Sequence, residues 1–151
     1  MSFKIKKFNE LSVEEIYEIL KIRNEVFIVE QECPYEDCDD KDKNAYHLFY
    51  MKEGKVISYL RILEKGLSYD EISIGRVLVN KDYRGKGLAR KSILKAIDFI
   101  QNNLKENAIR ISAQHYLIDF YKSFGFKSES EVYLEDNIPH IEMLYKNDIS
   151  I

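Results

Sequence analysis

Ile74-Gly-Arg-Val-Leu-Val-Asn-Lys-Asp-Tyr-Arg-Gly-Lys-Gly-Leu-Ala-Arg90 is the stretch of the sequence that decides the fold. It begins inside a run rich in β-branched residues, 72–79, which predicts a buried strand. A turn with two glycines, Gly85 and Gly87, follows. The free N–H groups of such a turn and of the helix after it point at one spot, which predicts a site for a phosphate group. The helical pattern starts at once, with apolar residues at Ala89, Ile93, Ala96, Ile97 and Ile100.

The spacing of the glycines narrows the choice of phosphorylated cofactor. The P-loop pattern Gly-x-x-x-x-Gly-Lys-Ser/Thr is absent, and the dinucleotide fingerprint fails because Arg90 stands where its third glycine belongs. The spacing Arg84-x-x-Gly87-x-Ala89 resembles instead the Gln/Arg-x-x-Gly-x-Gly/Ala loop of the GNAT N-acetyltransferases, which holds the pyrophosphate of coenzyme A. An ordinary strand-to-helix turn with charges facing solvent is the alternative interpretation.

A second segment, Asp119-Phe-Tyr-Lys-Ser-Phe-Gly-Phe126, resembles the Phe-Tyr-x-x-x-Gly-Phe signature of the same family. Tyr121 falls near the end of a short helix, and Gly125 can take the left-handed conformation that ends it. The tyrosine could present its hydroxyl to a nearby sulfur, and the alternative is that it packs against the core like other tyrosines. Three aromatic side chains are expected to pin the helix end to the core: Phe120, Phe124 and Phe126.

Three further segments resemble the ElaA-like branch of the GNAT proteins and span most of the chain. They run from Arg23 to Asp37, from Ser112 to His115 and from Glu131 to Ile141. One position departs from the wider family, since Gln114 stands where many members carry an asparagine that contacts the cofactor. The branch itself has a poorly defined substrate, so this resemblance sharpens the predicted fold more than the predicted function.

The predicted fold class is α/β (α+β). One domain over residues 1–151 is expected to form a GNAT fold, with a central mixed, mostly antiparallel sheet flanked by helices. A crossover through the helix at Gly87 makes strands four and five parallel and adjacent, and the resemblance implies that they splay apart at one end. Strands are predicted at 3–8, 46–52, 55–64, 71–79, 108–113, 127–135 and 140–146. Helices are predicted from the capping box Ser12–Glu15 to about Val29, from Gly87 to about Asn103, and around Tyr121.

The resemblance implies an acetyl-CoA-dependent N-acetyltransferase that acts on a primary amine, most simply of a small molecule, by direct attack. A non-catalytic acyl-CoA sensor and a protein acetyltransferase are the alternatives. Strand N–H groups near Leu78 and Val79 would polarise the carbonyl, and Tyr121 would act as general acid. The residues expected to bind the cofactor are Leu78, Val79, Arg84, Gly85, Lys86, Gly87, Leu88, Ala89, Gln114 and Tyr121.

The general base is left open by the sequence. His115 and His140 lead because both lie inside the ElaA-like segments, and a water chain is a further alternative. Other side chains with suitable chemistry are Glu30, His47, Glu71 and Glu135. The reaction requires no metal and no covalent enzyme intermediate.

Composition bounds the remaining partners. The net charge is −3 without a basic bias, which argues against nucleic acid, and no segment reads as a membrane span or signal peptide, so a cytoplasmic protein is expected. Cys33 and Cys38 are expected to be free thiols, because with His47 they do not reach the four ligands of a zinc site. The acidic run from Glu36 to Asp42 is interpreted as a solvated loop. A homodimer is left open.

Overall fold

The computed structural model describes residues 2–147. The element order confirms the predicted succession of strands and helices, except near the carboxyl end of the chain. The elements are β1 (Phe3–Lys7), α1 (Val13–Arg23, continued by a π-helical segment, Asn24–Glu30), β2 (Ala45–Lys52), β3 (Lys55–Leu63), β4 (Ile72–Val79), α2 (Leu88–Asn102), β5 (Ala108–Gln114), α3 (Ile118–Lys122), β6 (Lys127–Ser128), β7 (Tyr133–Glu135) and β8 (Ile138–Lys146).

The strands form one mixed sheet in the order β1-β2-β3-β4-β5-β8-β6, and β7 also pairs with β8. All pairs are antiparallel except β4 and β5, which are parallel as the crossover through α2 predicts. The strand predicted at 127–135 is wrong as a single element: its pairing with β8 is interrupted between Ser128 and Tyr133, which leaves two short strands. The tight turn that follows runs through Asp136 and Asn137, both with positive φ.

Helices cover both faces of the sheet. Because successive side chains of a strand point to opposite faces, each strand can contribute to two cores. Leu48 and Leu60 belong to a core packed under α2 and α3. Their neighbours Phe49 and Tyr59 belong to a second core packed under α1. Helix α1 starts at the predicted capping box, in which Ser12 accepts a hydrogen bond from the Glu15 N–H.

A bulge in β4 opens the sheet beside β5. Between Gly75 and Leu78, β4 carries one residue more than the facing part of β3, and Arg76 within it has a φ of +53°. The extra residue reverses the facing of the strand, so that Ile74 packs under α2 while Leu78 packs under α1. The parallel pairing of β4 with β5 covers only two residue pairs, Ile72–Ile109 and Ser73–Arg110. Beyond them the strands diverge, which confirms the predicted splay.

Among residues 2–147, no helix combines the length and the apolar character needed to cross a membrane.

Candidate active site

The turn between β4 and α2 has the backbone geometry that the glycine pattern predicts. Gly85 and Gly87 both have a φ of +77°, and a Cβ added at either would meet no atom within 4 Å. The glycines are therefore required by the backbone conformation and not by lack of space. The first helical bond is donated by Lys91 N–H to Gly87 O, at 3.0 Å, so three N–H groups have no partner within the helix: those of Leu88, Ala89 and Arg90.

The charged side chains of this turn differ in their partners. Arg84, expected among the cofactor ligands, forms a bidentate pair with Glu30, at 2.6 and 2.9 Å, and donates from Nε to Val79 O at 3.0 Å. Its side chain thus ties the turn to the end of β4 and to the segment after α1. Lys86 is exposed, with its ammonium 5.3 Å from the centre of the Tyr83 ring. Of the two, Lys86 is the cation that stands beside the glycine turn without a carboxylate partner in the structure.

Arg90 joins α2 to the end of α3. Its guanidinium lies over the Phe124 ring, 4.7 Å from the ring centre, and donates to Ser123 Oγ at 2.9 Å. This contact packs the first turn of α2 against the helix that carries Tyr121. The α3 helix ends as predicted, at Gly125 with a φ of +106°, and Phe126 is fully buried behind it.

A cavity of about 580 Å³ occupies the gap between β4 and β5. Its wall includes Tyr121 from the core under α2 and α3, and Phe27 from the core under α1. Since those cores lie on opposite faces, the cavity passes through the sheet. Val77 and Gln114 line it where the two strands diverge. Gln114, which departs from the wider family at this position, thus lines the gap, and its contact with the cofactor stays a prediction.

The backbone direction of β4 identifies which N–H groups face the gap. The Asn80 N–H bonds to Ile57 O on β3, at 2.8 Å. Because N–H groups alternate in direction along a regular strand, Leu78 also directs its N–H towards β3, while Val79, which follows the bulge, directs its N–H towards β5. Of the two residues predicted to polarise the carbonyl, Val79 therefore directs its N–H towards the gap, and Leu78 directs its N–H towards β3.

Tyr121 lies in the cavity wall on the α2 face and is 94% buried, with 6% of its surface exposed. Its ring makes edge contacts with Phe120 and Phe126, at centre-to-centre distances of 5.2 and 5.8 Å. Burial raises the pKa of the Tyr121 hydroxyl above its ordinary value, and the nearby Tyr116 adds to this. The phenol consequently keeps its proton and can donate a hydrogen bond into the cavity.

The structure separates the six candidate bases. His115 is exposed and lies outside the cavity wall, whereas His140 is buried within it. His47 is buried in the core with both ring nitrogens engaged, at 2.7 Å from Tyr59 Oη and 2.9 Å from Asp42 O. Two carboxylates are paired with arginines, Glu30 with Arg84 and Glu71 with Arg110. His140 and Glu135 are the two that line the cavity.

The interpretation of the acidic run as a solvated loop is wrong. Asp37, Asp39 and Asp42 turn inwards and pair with three arginines that come from α1, β3 and β4. Asp42 accepts from Arg23 at 2.7 Å and from Arg61 at 3.0 Å. The arginines hold the loop against the sheet, because a buried charge without a partner is costly. The loop forms the cavity wall on the α1 face, and its pairs are Arg23–Asp37, Arg23–Asp42, Arg61–Asp39, Arg61–Asp42, Arg76–Asp37 and Arg76–Asp39.

A signal for this network is present in the sequence. Arg61 interrupts the otherwise apolar run of β3, and Arg23 continues the apolar stripe of α1 after Ile16, Ile19 and Ile22. A cation at a core-facing position requires buried anions. The acidic run was the available source of those anions, so the pairing of the two patterns could have been predicted.

Two hydrogen bonds join pairs of residues that line the cavity. Lys41 Nζ donates to Ser68 Oγ at 2.7 Å, and Cys33 Sγ donates to Asp136 O at 3.3 Å. Cys33 is buried and Cys38 is exposed, and both are free thiols. Within residues 2–147, no three His, Cys, Asp or Glu side chains come together as a group that could hold a metal ion.

A mixed sheet that opens at one parallel pair, beside a glycine turn at a helix N-terminus, is the architecture of an acyl-CoA acyltransferase. Residues 8–146 match the family described as "Acetyltransferase (GNAT) domain". The chain belongs to this family, and its fold is the GNAT fold.

Relatives place the chain within the family. It is 37% identical to the ElaA protein of Escherichia coli over 137 residues, which are 89% of this chain and 90% of ElaA. The crystal structure of that ElaA superposes with a TM-score of 0.89 and covers 97% of this chain and 100% of its own. These matches confirm the predicted ElaA-like branch.

Two further solved structures share the fold. An acyl-CoA N-acyltransferase from Pseudomonas aeruginosa has a TM-score of 0.90 and 34% identity, and the match covers 96% of this chain and 99% of that one. The PaiA N-acetyltransferase from Thermoplasma acidophilum, solved in complex with coenzyme A, has a TM-score of 0.69 at 16% identity, over 97% and 100% of the chains. At that identity the second likeness concerns the fold alone.

Proposed function

We propose that this protein transfers the acetyl group of acetyl-CoA to the primary amine of a small acceptor by direct attack of the amine on the thioester. The observation that carries the proposal is the cavity through the sheet, which joins Tyr121 on one face to His140 on the other. In this arrangement the thioester and the amine reach the same gap from opposite sides. Membership of the acetyltransferase family supports the choice of donor.

The glycine turn is the proposed seat of the pyrophosphate. The N–H groups of Leu88, Ala89 and Arg90 and the positive end of the α2 dipole favour an anion there. Gly85 and Gly87 let the backbone come close, and the ammonium of Lys86 adds a charge. Arg84 acts indirectly in this scheme, because its side chain holds the turn in place through Glu30.

The acyl group would lie where β4 and β5 diverge. The N–H group of Val79 faces this gap, so it can donate to the carbonyl oxygen as that oxygen gains negative charge. Gln114, across the gap on β5, is a further polar contact for the cofactor. The Val79 N–H is held in place by the strand, so it does not need to reorganise during the reaction.

Proton transfers complete the mechanism. His140 is proposed as the base that takes a proton from the amine, in preference to His115, because only His140 lines the cavity. Tyr121 is proposed to donate to the leaving sulfur. Its raised pKa makes full transfer to a thiolate of pKa about 8.5 unfavourable at equilibrium, so its main contribution is a hydrogen bond that strengthens as charge develops on sulfur.

A small acceptor fits the cavity better than a protein side chain on a folded surface. Hydrogen bonds between Lys41 and Ser68 and between Cys33 and Asp136 tie together separate loops of the cavity wall, which favours a small acceptor. A protein acetyltransferase would need an open docking groove at this position. The non-catalytic sensor would need no base in the cavity, and the burial of His140 in its wall favours the enzyme.

Cofactor binding and turnover can be tested separately. Acetyl-CoA should raise the melting temperature, since only the folded chain has the glycine turn, and adenosine should raise it much less. Release of free thiol from acetyl-CoA should then increase with one or more members of a panel of small primary amines. No stabilisation at millimolar acetyl-CoA contradicts the proposed donor. Stabilisation without thiol release for any amine favours the sensor.

A further inference from the structure

Three polar groups meet on the cavity wall of the α1 face, at the level where β5 has left β4. His140 Nε2 lies 3.4 Å from Glu135 Oε2, and Ser112 Oγ lies 3.3 Å from Glu135 Oε1. All three side chains line the cavity. They come from β8, β7 and β5, so the carboxylate of Glu135 stands between the histidine and the hydroxyl.

The hydrogen bonds around His140 define its tautomer. Nδ1 lies 2.6 Å from the carbonyl oxygen of Ile138, an atom that can only accept, so Nδ1 carries a proton and donates it. The ring is held in this orientation by stacking on Tyr133, with 26° between the ring planes. In the neutral imidazole, Nε2 therefore presents its lone pair towards Glu135.

While the His140 imidazole is neutral, two acceptors therefore face each other. The lone pair of Nε2 and the carboxylate of Glu135 repel unless a donor stands at the same place, because each carries negative charge density and no hydrogen. The Ser112 hydroxyl donates a hydrogen bond to the other carboxylate oxygen, Glu135 Oε1. It is also hydrogen-bonded to the Tyr133 hydroxyl. The group that suits this pair is a small cationic donor with several N–H bonds.

We propose that Glu135 is a positioning residue of the acceptor site, whose carboxylate and His140 Nε2 together receive the protonated amine of the acceptor. The inference rests on the proposed function and adds the group that holds the nitrogen before the reaction. An alkylammonium has three N–H donors, so it can bond to Nε2, to Glu135 and to a third acceptor at once. Glu135 also stabilises the imidazolium that forms when His140 takes the proton.

Each proton of the acceptor ammonium that is lost in the proposed reaction has a defined destination. One proton of the ammonium passes to His140 Nε2, and the freed lone pair forms the C–N bond with the thioester carbon. The C–S bond breaks, and the amide nitrogen loses a second proton as the sulfur of coenzyme A gains one. The proton on His140 is released to solvent at the end of the cycle. Glu135 remains a carboxylate throughout.

The test uses ¹⁵N-histidine labelling, because the chain has only three histidines and a His140→Gln variant assigns the third. The protein is saturated with coenzyme A and titrated with propylammonium chloride. The His140 Nε2 resonance should move in a saturable way in the unsubstituted protein. In Glu135→Gln, half-saturation should need about tenfold more propylammonium, since a charged hydrogen bond is lost and the glutamine amide can donate to Nε2 instead.

Two controls separate this role from a structural one. Glu131→Gln removes an exposed carboxylate of the same hairpin segment outside the cavity wall and should titrate like the unsubstituted protein. Glu135→Asp keeps the charge and should retain part of the response. A Glu135→Gln titration equal to that of the unsubstituted protein overturns the inference, and so does an Nε2 resonance that never responds. Stabilisation by coenzyme A is measured in parallel, so a failure of the proposed donor is seen independently.

Discussion

At the scale of single residues, the site depends on side chains whose protonation is set by burial. Tyr121 has a pKa above its ordinary value because it is removed from water, and it therefore stays protonated over the whole range in which the enzyme would work. A neutral phenol in a dry wall is a good hydrogen-bond donor and a poor proton donor. This distinguishes its role from that of a general acid that fully gives up its proton.

Tyr121→Phe tests this role, since it keeps the ring contacts and removes only the hydroxyl. Turnover should fall by about 10²-fold or more, because the lost interaction strengthens in the transition state. The KM for acetyl-CoA should change little. The measurement is steady-state thiol release with the amine found in the panel, or basal hydrolysis of acetyl-CoA in its place. Tyr17→Phe, on the exposed surface of α1, is the control.

A Tyr121→Phe variant with normal turnover and lower stability would identify Tyr121 as a packing residue. The motif alone could predict that this tyrosine stands at the end of a short helix. It could not predict which histidine shares its cavity. His115 lies next to Gln114 in sequence but turns to solvent, whereas His140 reaches the wall through the antiparallel pairing of β5 with β8, which opposes Gln114 to His140.

At the scale of elements, two features determine the conformation of the turn between β4 and α2. The glycines set its backbone, and Arg84 fastens it to β4 and to Glu30. The sequence predicted the first feature from glycine spacing. The second could not be predicted, because Glu30 is 54 residues away in sequence and the pair forms only when the segment after α1 packs beside the end of β4.

Lys86→Glu tests the turn as the phosphate seat. The substitution should raise the Kd for acetyl-CoA on the order of tenfold or more, since a like charge replaces the attractive one beside the pyrophosphate. Lys95→Glu is a matched control, because it makes the same charge change on α2, also at an exposed lysine over an aromatic ring. Isothermal titration calorimetry measures both. Equal losses in the two variants would indicate a general field effect and remove Lys86 from the site.

The bulge in β4 shows a limit of pattern reading. The run of β-branched residues predicts the strand from 71 to 79, and the strand is there from Ile72 to Val79. In a regular strand Ile74 and Leu78 would share one face, but the extra residue in the bulge at Arg76 puts them on opposite faces. Nothing local in the sequence marks this reversal. Arg76, the residue of the bulge with positive φ, donates a hydrogen bond to Asp37 at 2.7 Å, a contact between residues 39 positions apart in the sequence.

At the scale of the whole molecule, the arginine–aspartate network joins parts of the chain that are far apart in sequence. Arg23 of α1 has no exposed surface, and Arg61 has 3%. The loop of Asp37, Asp39 and Asp42 supplies their counter-charges and at the same time forms a wall of the cavity. The network thus couples the stability of the fold to the shape of this part of the cavity wall.

Asp42→Asn should lower the free energy of unfolding by about 3–5 kcal/mol at neutral pH, because two buried arginines lose a shared carboxylate. Burial alone would raise the pKa of Asp42, but hydrogen bonds and charges from Arg23 and Arg61 outweigh it and lower the pKa. The unfolded chain therefore takes up the proton first as the pH falls, and the deficit of the variant should shrink below about pH 4.

Urea unfolding at neutral and acidic pH measures this difference. Asp40→Asn is the control, because Asp40 belongs to the same loop but its side chain is 90% exposed in its pair with Lys43. It should change the free energy of unfolding by less than about 1 kcal/mol. A deficit of Asp42→Asn that is equally small, or that does not shrink in acid, would contradict the role given to the network.

The passage through the sheet also affects how substrates enter and products leave in the proposed reaction. The two substrates would enter the cavity from opposite sides of the sheet. Neither would then block the exit of the other. Spent coenzyme A can back out past the glycine turn while the acetylated product leaves between the loops bridged by Lys41–Ser68 and Cys33–Asp136. A high concentration of acetyl-CoA would then not block the entry of the acceptor.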